Sequence, residues 1–209
     1  MNSPLLSCIA ESVDLKSYSW FGVGGKTKFL AKPANNTEFQ EVILFAQERN
    51  LAIKVIGLGA NVLFSDAGFD GIIIMLPKEE IKYVYLDDDW GLLTVSAGIS
   101  IEQAIDFCLN KALLFGLEEF SGIPSSVGGA LFINLHYFEF LIAQFVFEAT
   151  ISLLNDTIYK RFHCSNYYQK ELINFEFLTK VRKCQFFKFR LIFRKSSIFF
   201  ESKPLSLTQ

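Results

Sequence analysis

The chain has 209 residues, enough for one large domain or two small ones with a buried core. Hydrophobic residues make up 51% and the formal net charge is −2, so the chain as a whole has no electrostatic reason to seek nucleic acid. No apolar run reaches the ~18 residues that a membrane helix needs, and the first residues lack the basic and long apolar regions of a signal peptide. A cytoplasmic protein with neither a nucleic-acid nor a membrane partner is therefore expected. Cys8, Cys108, Cys164 and Cys184 are widely spaced, and His136 and His163 are scattered. This pattern predicts reduced thiols and no metal site. Charge is unevenly distributed: from Lys160 onward there are eleven Lys or Arg against three Glu, and fourteen of the 23 Phe fall between Phe132 and Phe200. Such a shift marks either a second domain or a stretch no longer selected for a packed fold.

In chain order, WFGVGGKTKFLAKPA (20–34) carries three glycines around one Val, then a strand-like alternation that stops at Pro33. A helix follows, with Thr37 as its cap and Phe39, Val42, Ile43, Phe45 and Ala46 at helical spacing. An apolar strand over Ile53 to Ile56 runs straight into Gly57-Leu58-Gly59-Ala60-Asn61. FDGIIIML (69–76) and GLLTVSAGI (91–99) read as two more strands, separated by an exposed turn at Asp87-Asp88-Asp89. Ile101 to Leu114 reads as an amphipathic helix, with Ser100 as its cap and Gln103 completing a capping box. The second glycine-rich region is GLEEFSGIPSSVGGALFINL (116–135), and FVFEATISLLNDTIYKRF (145–162) reads as a strand pair turning at Asn155-Asp156. Strands alternating with helices predict an α/β or α+β domain.

Three stretches, FGVGG, GLGAN and SGIPSSVGGA, are suited to bring main chain against a ligand. Successive N–H groups in such turns can cradle a phosphate. Gly57–Asn61 is the candidate pyrophosphate loop, with Gly122–Gly129 as a second wall helped by Ser125, Ser126 and Asn134. Any one of these glycine pairs taken alone is ordinarily only a turn. The pattern is also no Rossmann fingerprint, because Asn61 leads into strand-like Val62-Leu63-Phe64 rather than a helix. The residues themselves point to a phosphate-bearing cofactor and leave its identity open.

These stretches resemble a known family. YSWFGVGGKTKFLAKP, VIGLGANVLFSDAGFDGIIIML and AGISIEQAIDFCLNKALLFGLEEFSGIPSSVGGALFIN are similar, in order and spacing, to motifs of the UDP-N-acetylenolpyruvoylglucosamine reductases over about residues 16–151. The resemblance implies an α+β FAD-binding domain of the vanillyl-alcohol-oxidase (PCMH) type in two subdomains, followed by a substrate domain. By motif position it implies flavin contacts at Gly57, Gly59, Ala60, Asn61, Gly122, Ile123, Pro124, Ser126, Val127, Gly128 and Asn134. It implies FAD as cofactor, NADPH as hydride donor and a UDP-sugar substrate whose enolpyruvyl group is reduced to give UDP-N-acetylmuramate for peptidoglycan. The flavin supplies the redox chemistry; a Ser proton donor, an Arg and a Glu complete the family's site.

The chain departs from the family in several places. Ala60 replaces a usual Ser, and Ser125 replaces the last glycine of Gly-Ile-Pro-Gly. His136 and Glu139 stand where the family has glycines, so a positive φ at either would cost roughly 1 kcal/mol or more. The catalytic Arg matches either Arg194, in Phe193-Arg194-Lys195-Ser196, or the position of Gln169, in Tyr168-Gln169-Lys170-Glu171. The segment that would carry the Ser and the Glu is expected to be absent, and with it most of the substrate domain. The expected layout is a FAD-binding domain at 16–151, extending at most to about 180, and a strand-rich tail at 152–209. Weak structure is expected over 160–209; the alternative is a strand pair folded back on the flavin domain. Two rivals to the reductase remain: a truncated or decaying FAD-binding remnant without turnover, and another FAD-linked oxidase of the same fold. Gly59→Val is expected to abolish FAD binding and leave the fold intact.

Overall fold

The computed structural model describes residues 5–86, 88, 90–112, 114–153, 156–163 and 185–195. Its first half is a four-stranded sheet in the order β1-β2-β4-β3. It comprises β1 (Ile9–Asp14), β2 (Lys26–Ala31), β3 (Ala52–Ile56) and β4 (Phe69–Met75), with helix α1 (Asn36–Glu48) crossing between β2 and β3. β1 is antiparallel to β2, while β2 and β3 both run parallel to β4. A central parallel strand is covered on both faces and so is apolar over its middle, here Gly71–Ile74, with Asp70 exposed at its start. Ile72, Ile73 and Ile74 of β4 are fully buried, each burial contributing roughly 1.5–3 kcal/mol.

The alternation of β4 separates two cores. Ile72 and Ile74 pack with Ile9, Phe29 and Ala31 against Phe39, Val42, Ile43, Phe45 and Ala46 of α1. These five α1 positions are those the helical spacing picks out. Ile73, on the other face, joins Leu15, Leu30 and Ile56 beneath Tyr18, Val62 and Phe64. This second face is covered by the segments around 15–25 and 57–68, the first with a single 3-10 turn at Lys16–Tyr18, rather than by an α-helix. The cap of α1 is Asn35, whose side chain accepts from the Glu38 N–H at 2.9 Å, and not Thr37. The chain enters the helix two residues earlier than the apolar pattern requires, and Asn serves there as well as Thr.

The second half is a six-stranded sheet whose main path is β11-β10-β12-β6-β5. Its strands are β5 (Ile81–Tyr85), β6 (Trp90–Ser96), β7 (Leu114–Phe115), β10 (Val146–Leu153), β11 (Asp156–His163) and β12 (Gln185–Lys195), and every pairing is antiparallel. α2 (Ile101–Phe107) and α3 (Val127–Phe132) pack on one face, and β8 (His136–Tyr137) and β9 (Phe140–Leu141) form a small hairpin beside them. The capping box of α2 forms as expected: the Ser100 hydroxyl accepts from the Gln103 N–H at 3.1 Å and Gln103 Oε1 accepts from the Ser100 N–H at 3.2 Å. The helix does not run on regularly to Leu114; it passes into a π-turn over Cys108–Ala112 that keeps Cys108 and Ala112 in the core. Leu76, just after β4, packs against the cores of both halves.

Within the stretch 160–209, where weak structure is expected, residues 185–195 form strand β12. β12 lies between β10 and β6, with Phe189 opposite both Ala149 and Val95, and Leu191 opposite Val146 and Leu93. Ala149, Val95, Val146 and Leu93 are all buried. The segment reads Gln-Phe-Phe-Lys-Phe-Arg-Leu-Ile-Phe-Arg-Lys, with an apolar residue at alternate positions from Phe187 to Phe193. That is the signal of a half-buried strand. β12 folds back on the preceding domain, as the alternative has it, but as one strand with ladders on both sides. The expected boundary at 151 falls inside β10. Gln169 and the remainder of the tail lie outside the described residues.

Candidate flavin site

The first and second glycine segments are hydrogen-bonded to each other. The Trp20 N–H donates to the Gly59 carbonyl at 3.2 Å, and the Ser19 hydroxyl donates to the Val62 carbonyl at 2.7 Å while accepting from the Phe21 N–H. Gly59 is buried with φ +73°, and a Cβ there would collide with the Tyr18 carbonyl. The expectation for Gly59→Val is therefore corrected: the branched side chain would break the packing of two loops before it could meet any ligand.

The second and third segments meet at Gly57. A Cβ on Gly57 would occupy the position of the Ser126 hydroxyl. Ser126 is buried, its Oγ accepting from the Gly129 N–H at 3.1 Å, and its carbonyl accepting from the Ser125 hydroxyl at 3.0 Å. Segments about 65 residues apart in sequence are thus in van der Waals contact, with Leu58 and Ala60 half-buried and Asn61 exposed beside them.

The third segment divides in two. Val127 and Gly128 face inward: their N–H groups donate to the carbonyls of Ile99 and Ala97, and Gly128 packs on Ala97 and Leu76. These two hold the segment to the chain just beyond β6. Gly122 faces outward, with φ +78° and no atom within 4 Å of where a Cβ would stand. Ile123 is half-buried against the core of the second half, and Pro124 is exposed. The Gly122 N–H donates to Glu102 Oε2 at 3.0 Å, and the Ser121 hydroxyl donates to the same carboxylate at 3.2 Å. Nothing in the sequence announces this bond, since the partners are twenty residues apart and on different elements. Ser125 is not among the residues with positive φ, so its replacement of a family glycine carries no left-handed strain.

Beyond α3, the left-handed positions are Asn134 and Phe138, each at φ +50°, and not His136 and Glu139. The backbone cost expected at those two is corrected accordingly. His136 pairs with Leu141 in the β8–β9 ladder, and Glu139 is the other turn residue. The strain falls on Phe138, which is 79% exposed and edge-on to Tyr137 with ring centroids 4.6 Å apart. A bulky residue at left-handed φ costs roughly 1–2 kcal/mol. Arg194 sits near the end of β12, at a register position opposite Trp90 on one side and Phe115 on the other.

Two observations bear on whether FAD fits these residues. Asn134 Oδ1 is buried with no hydrogen-bond partner among the described residues, a state that costs about 1–3 kcal/mol unless something donates to it. The open Cα face of Gly122 leaves room for a planar or ribose group against the main chain. Both agree with a ligand that carries donors and large flat rings. The thiols stand apart from this chemistry. Cys8 and Cys108 are free, and burial, with Glu118 adding to it, pushes Cys108 up to about 12. Among the described residues, no cluster of three or more His, Cys, Asp or Glu could hold a metal ion, and no helix is long and apolar enough to cross a membrane.

Related sequences are reductases. The chain is 34% identical over 131 residues to UDP-N-acetylenolpyruvoylglucosamine reductase of Rhodopirellula baltica, and 32% identical over 146 residues to that of Treponema pallidum. These alignments cover 63% and 69% of this chain but 42% and 41% of those proteins, so the chain spans about two fifths of the length of the relatives it matches. Among solved structures, the reductase from Thermus caldophilus superposes with a TM-score of 0.60 at 21% identity, covering 89% of this chain and 63% of that one. A cholesterol oxidase from Brevibacterium sterolicum gives 0.63 at 18% identity, over 93% of this chain and 39% of that one. A VAO-type flavoprotein from Myceliophthora thermophila gives 0.60 at 14%, over 81% and 32%. The α+β fold of two sheets is therefore the fold these flavoproteins share. The family described as FAD binding domain matches residues 27–151, more than half of the sequence, and the chain belongs to that family.

Proposed function

We propose that the three glycine segments hold FAD and that the protein serves the reduction of UDP-N-acetylenolpyruvoylglucosamine to UDP-N-acetylmuramate, in the cytoplasm and with NADPH as hydride donor. The observation that carries this is the meeting of Gly57 with Ser126, which brings the second and third segments of a FAD binding domain into one wall. On this reading the Gly57–Asn61 loop takes the diphosphate, with Gly59 fixing the loop against Tyr18. Gly122, Ile123 and Pro124 lie along a ring or ribose, and Asn134 Oδ1 accepts a hydrogen bond from the cofactor. Ser126, Val127 and Gly128 shape the wall from behind. Bound FAD would supply hydride transfer; the chain supplies position and a dry surface. The FAD-binding unit, expected over 16–151, then includes β12, because β10 and β6 are bridged through it.

Gly122→Ala is a cleaner probe than Gly59→Val. Its methyl enters open space at a left-handed φ, so the fold loses about 1–2 kcal/mol while the cofactor loses its seat. Retained yellow colour and an unchanged FAD affinity in that variant would refute the assignment. Substrate-dependent NADPH oxidation on the order of 1 s⁻¹, within the common enzyme range, tests the chemistry.

A second reading, a chain that holds FAD without turnover, is favoured by the segment Asn134–Glu139. There exposed His136, Tyr137, Phe138 and Glu139 occupy positions where the reductase motif is mostly small. Flavin uptake without any NADPH oxidation would select it.

A further inference from the structure

The outward-facing turn of the third glycine segment is set by one carboxylate from another element. Glu102 is the second residue of α2, and its side chain accepts from the Gly122 N–H at 3.0 Å and from the Ser121 hydroxyl at 3.2 Å. Its neighbours grip the same segment. The Ile101 N–H donates to the Ser125 carbonyl at 2.8 Å, and Ser100 forms an isolated antiparallel bridge with Ser126. The first turn of α2, fixed by its capping box, is therefore a template for residues 121–126. Within that template Glu102 alone brings a charge. A carboxylate accepting from a backbone N–H and a hydroxyl binds them about twice as strongly as a neutral acceptor would. It also takes the N–H of Gly122 out of any phosphate nest and sets a negative charge behind the turn, where a phosphate would be repelled.

We propose that Glu102 is a positioning residue of the FAD site. It holds Gly122 in the left-handed conformation that leaves its Cα face open. It also gives the site a polarity, directing the diphosphate to the 57–61 loop and leaving 121–124 to an uncharged part of the cofactor. The proposal rests on the FAD reading of the site. Glu102 in the first turn of α2 also complements the helix dipole, and that purely structural role makes a different prediction.

The test uses the full chain, with FAD titrated against wild type, Glu102→Ala and Glu102→Gln by flavin fluorescence, and thermal midpoints measured in parallel. Glu102→Ala removes the acceptor and is expected to weaken FAD binding about tenfold or more in protein that is still folded, the loss typical of a charge-assisted hydrogen bond. Glu102→Gln keeps one acceptor oxygen for the two donors and loses the charge, so it is expected to bind FAD more weakly than wild type but more tightly than Glu102→Ala. A lowered midpoint with unchanged affinity in Glu102→Ala assigns the residue to helix stability and overturns the proposal. If Glu102→Ala does not fold, Glu102→Gln decides alone, and an affinity equal to wild type overturns it. A wild-type chain that takes up no FAD removes the site itself, a result distinct from any difference among the variants.

Discussion

The two halves of the molecule are assembled from the chain in opposite ways. The β1–β4 sheet draws all its strands and its helix from residues 9–75, and its parallel core is closed by two short crossovers, α1 and the 57–68 loop. The β5–β12 sheet gathers strands from residue 81 to residue 195, and the strand that bridges β10 and β6 is the last of them. The first half can therefore form from local contacts, while the second must close a long loop before its central ladders exist. The glycine segments straddle the two: the first two cover the second face of the β1–β4 sheet, and the third is tied to β6 and α2. A site shared in this way is complete only when the slower half has formed.

The largest expected effect comes from breaking β12. Leu191→Pro puts a residue without an N–H into a strand laddered on both sides, which should cost about 3 kcal/mol or more. Hydrogen exchange should then show β6 and β10 unprotected while β2 and β4 stay protected. Equal loss in both sheets would mean that the halves unfold as one unit. Next in size, Ile72→Ala and Ile73→Ala should each cost about 2–5 kcal/mol, yet differ in their effect on the ligand. Ile72 faces α1, whereas Ile73 supports the glycine loops. Chemical denaturation with FAD titration on the same samples should find weakened FAD binding for Ile73→Ala only.

Smaller still are the caps. Asn35→Ala and Ser100→Ala each remove a side-chain acceptor at a helix start and should cost about 1 kcal/mol. Of the two, only the Ser100 variant should also disturb residues 121–126. The smallest signal is thiol labelling at pH 8, read by peptide mapping. Burial raises the pKa of Cys8, helped by Glu38, while Cys108 is pushed up to about 12. Native Cys108 is thus un-ionised at that pH and labels only when its half of the molecule opens. Cys8, half-buried, should label first.

What could be read from the sequence follows the same division. The apolar face of α1, the strand leading into Gly57 and the Ser100–Gln103 capping box are local patterns, and each forms as the spacing predicts. The β5 strand was hidden because Ile81–Tyr85 is short, lies next to an acidic run and takes its partner from β6. β12 was hidden because Lys188, Arg190 and Arg194 interrupt its phenylalanines and suggest a solvated stretch. Only the pairing with Val95, Leu93 and Ala149 makes the alternation meaningful. The site was legible as three glycine segments, but not in its division of labour. Which glycines are packed, which one is open and which carboxylate holds the turn all depend on contacts across the fold.

The contact between Gly57 and Ser126 also constrains how such chains can diverge. A Cβ at position 57 would collide with the Ser126 hydroxyl oxygen and stand 3.1 Å from its Cβ, so the two sites share one small volume. A lineage that acquires Ala at 57 must first or simultaneously lose the hydroxyl at 126, by a change to Ala or glycine there. Across homologues the two positions should therefore covary in size, even though 68 positions lie between them.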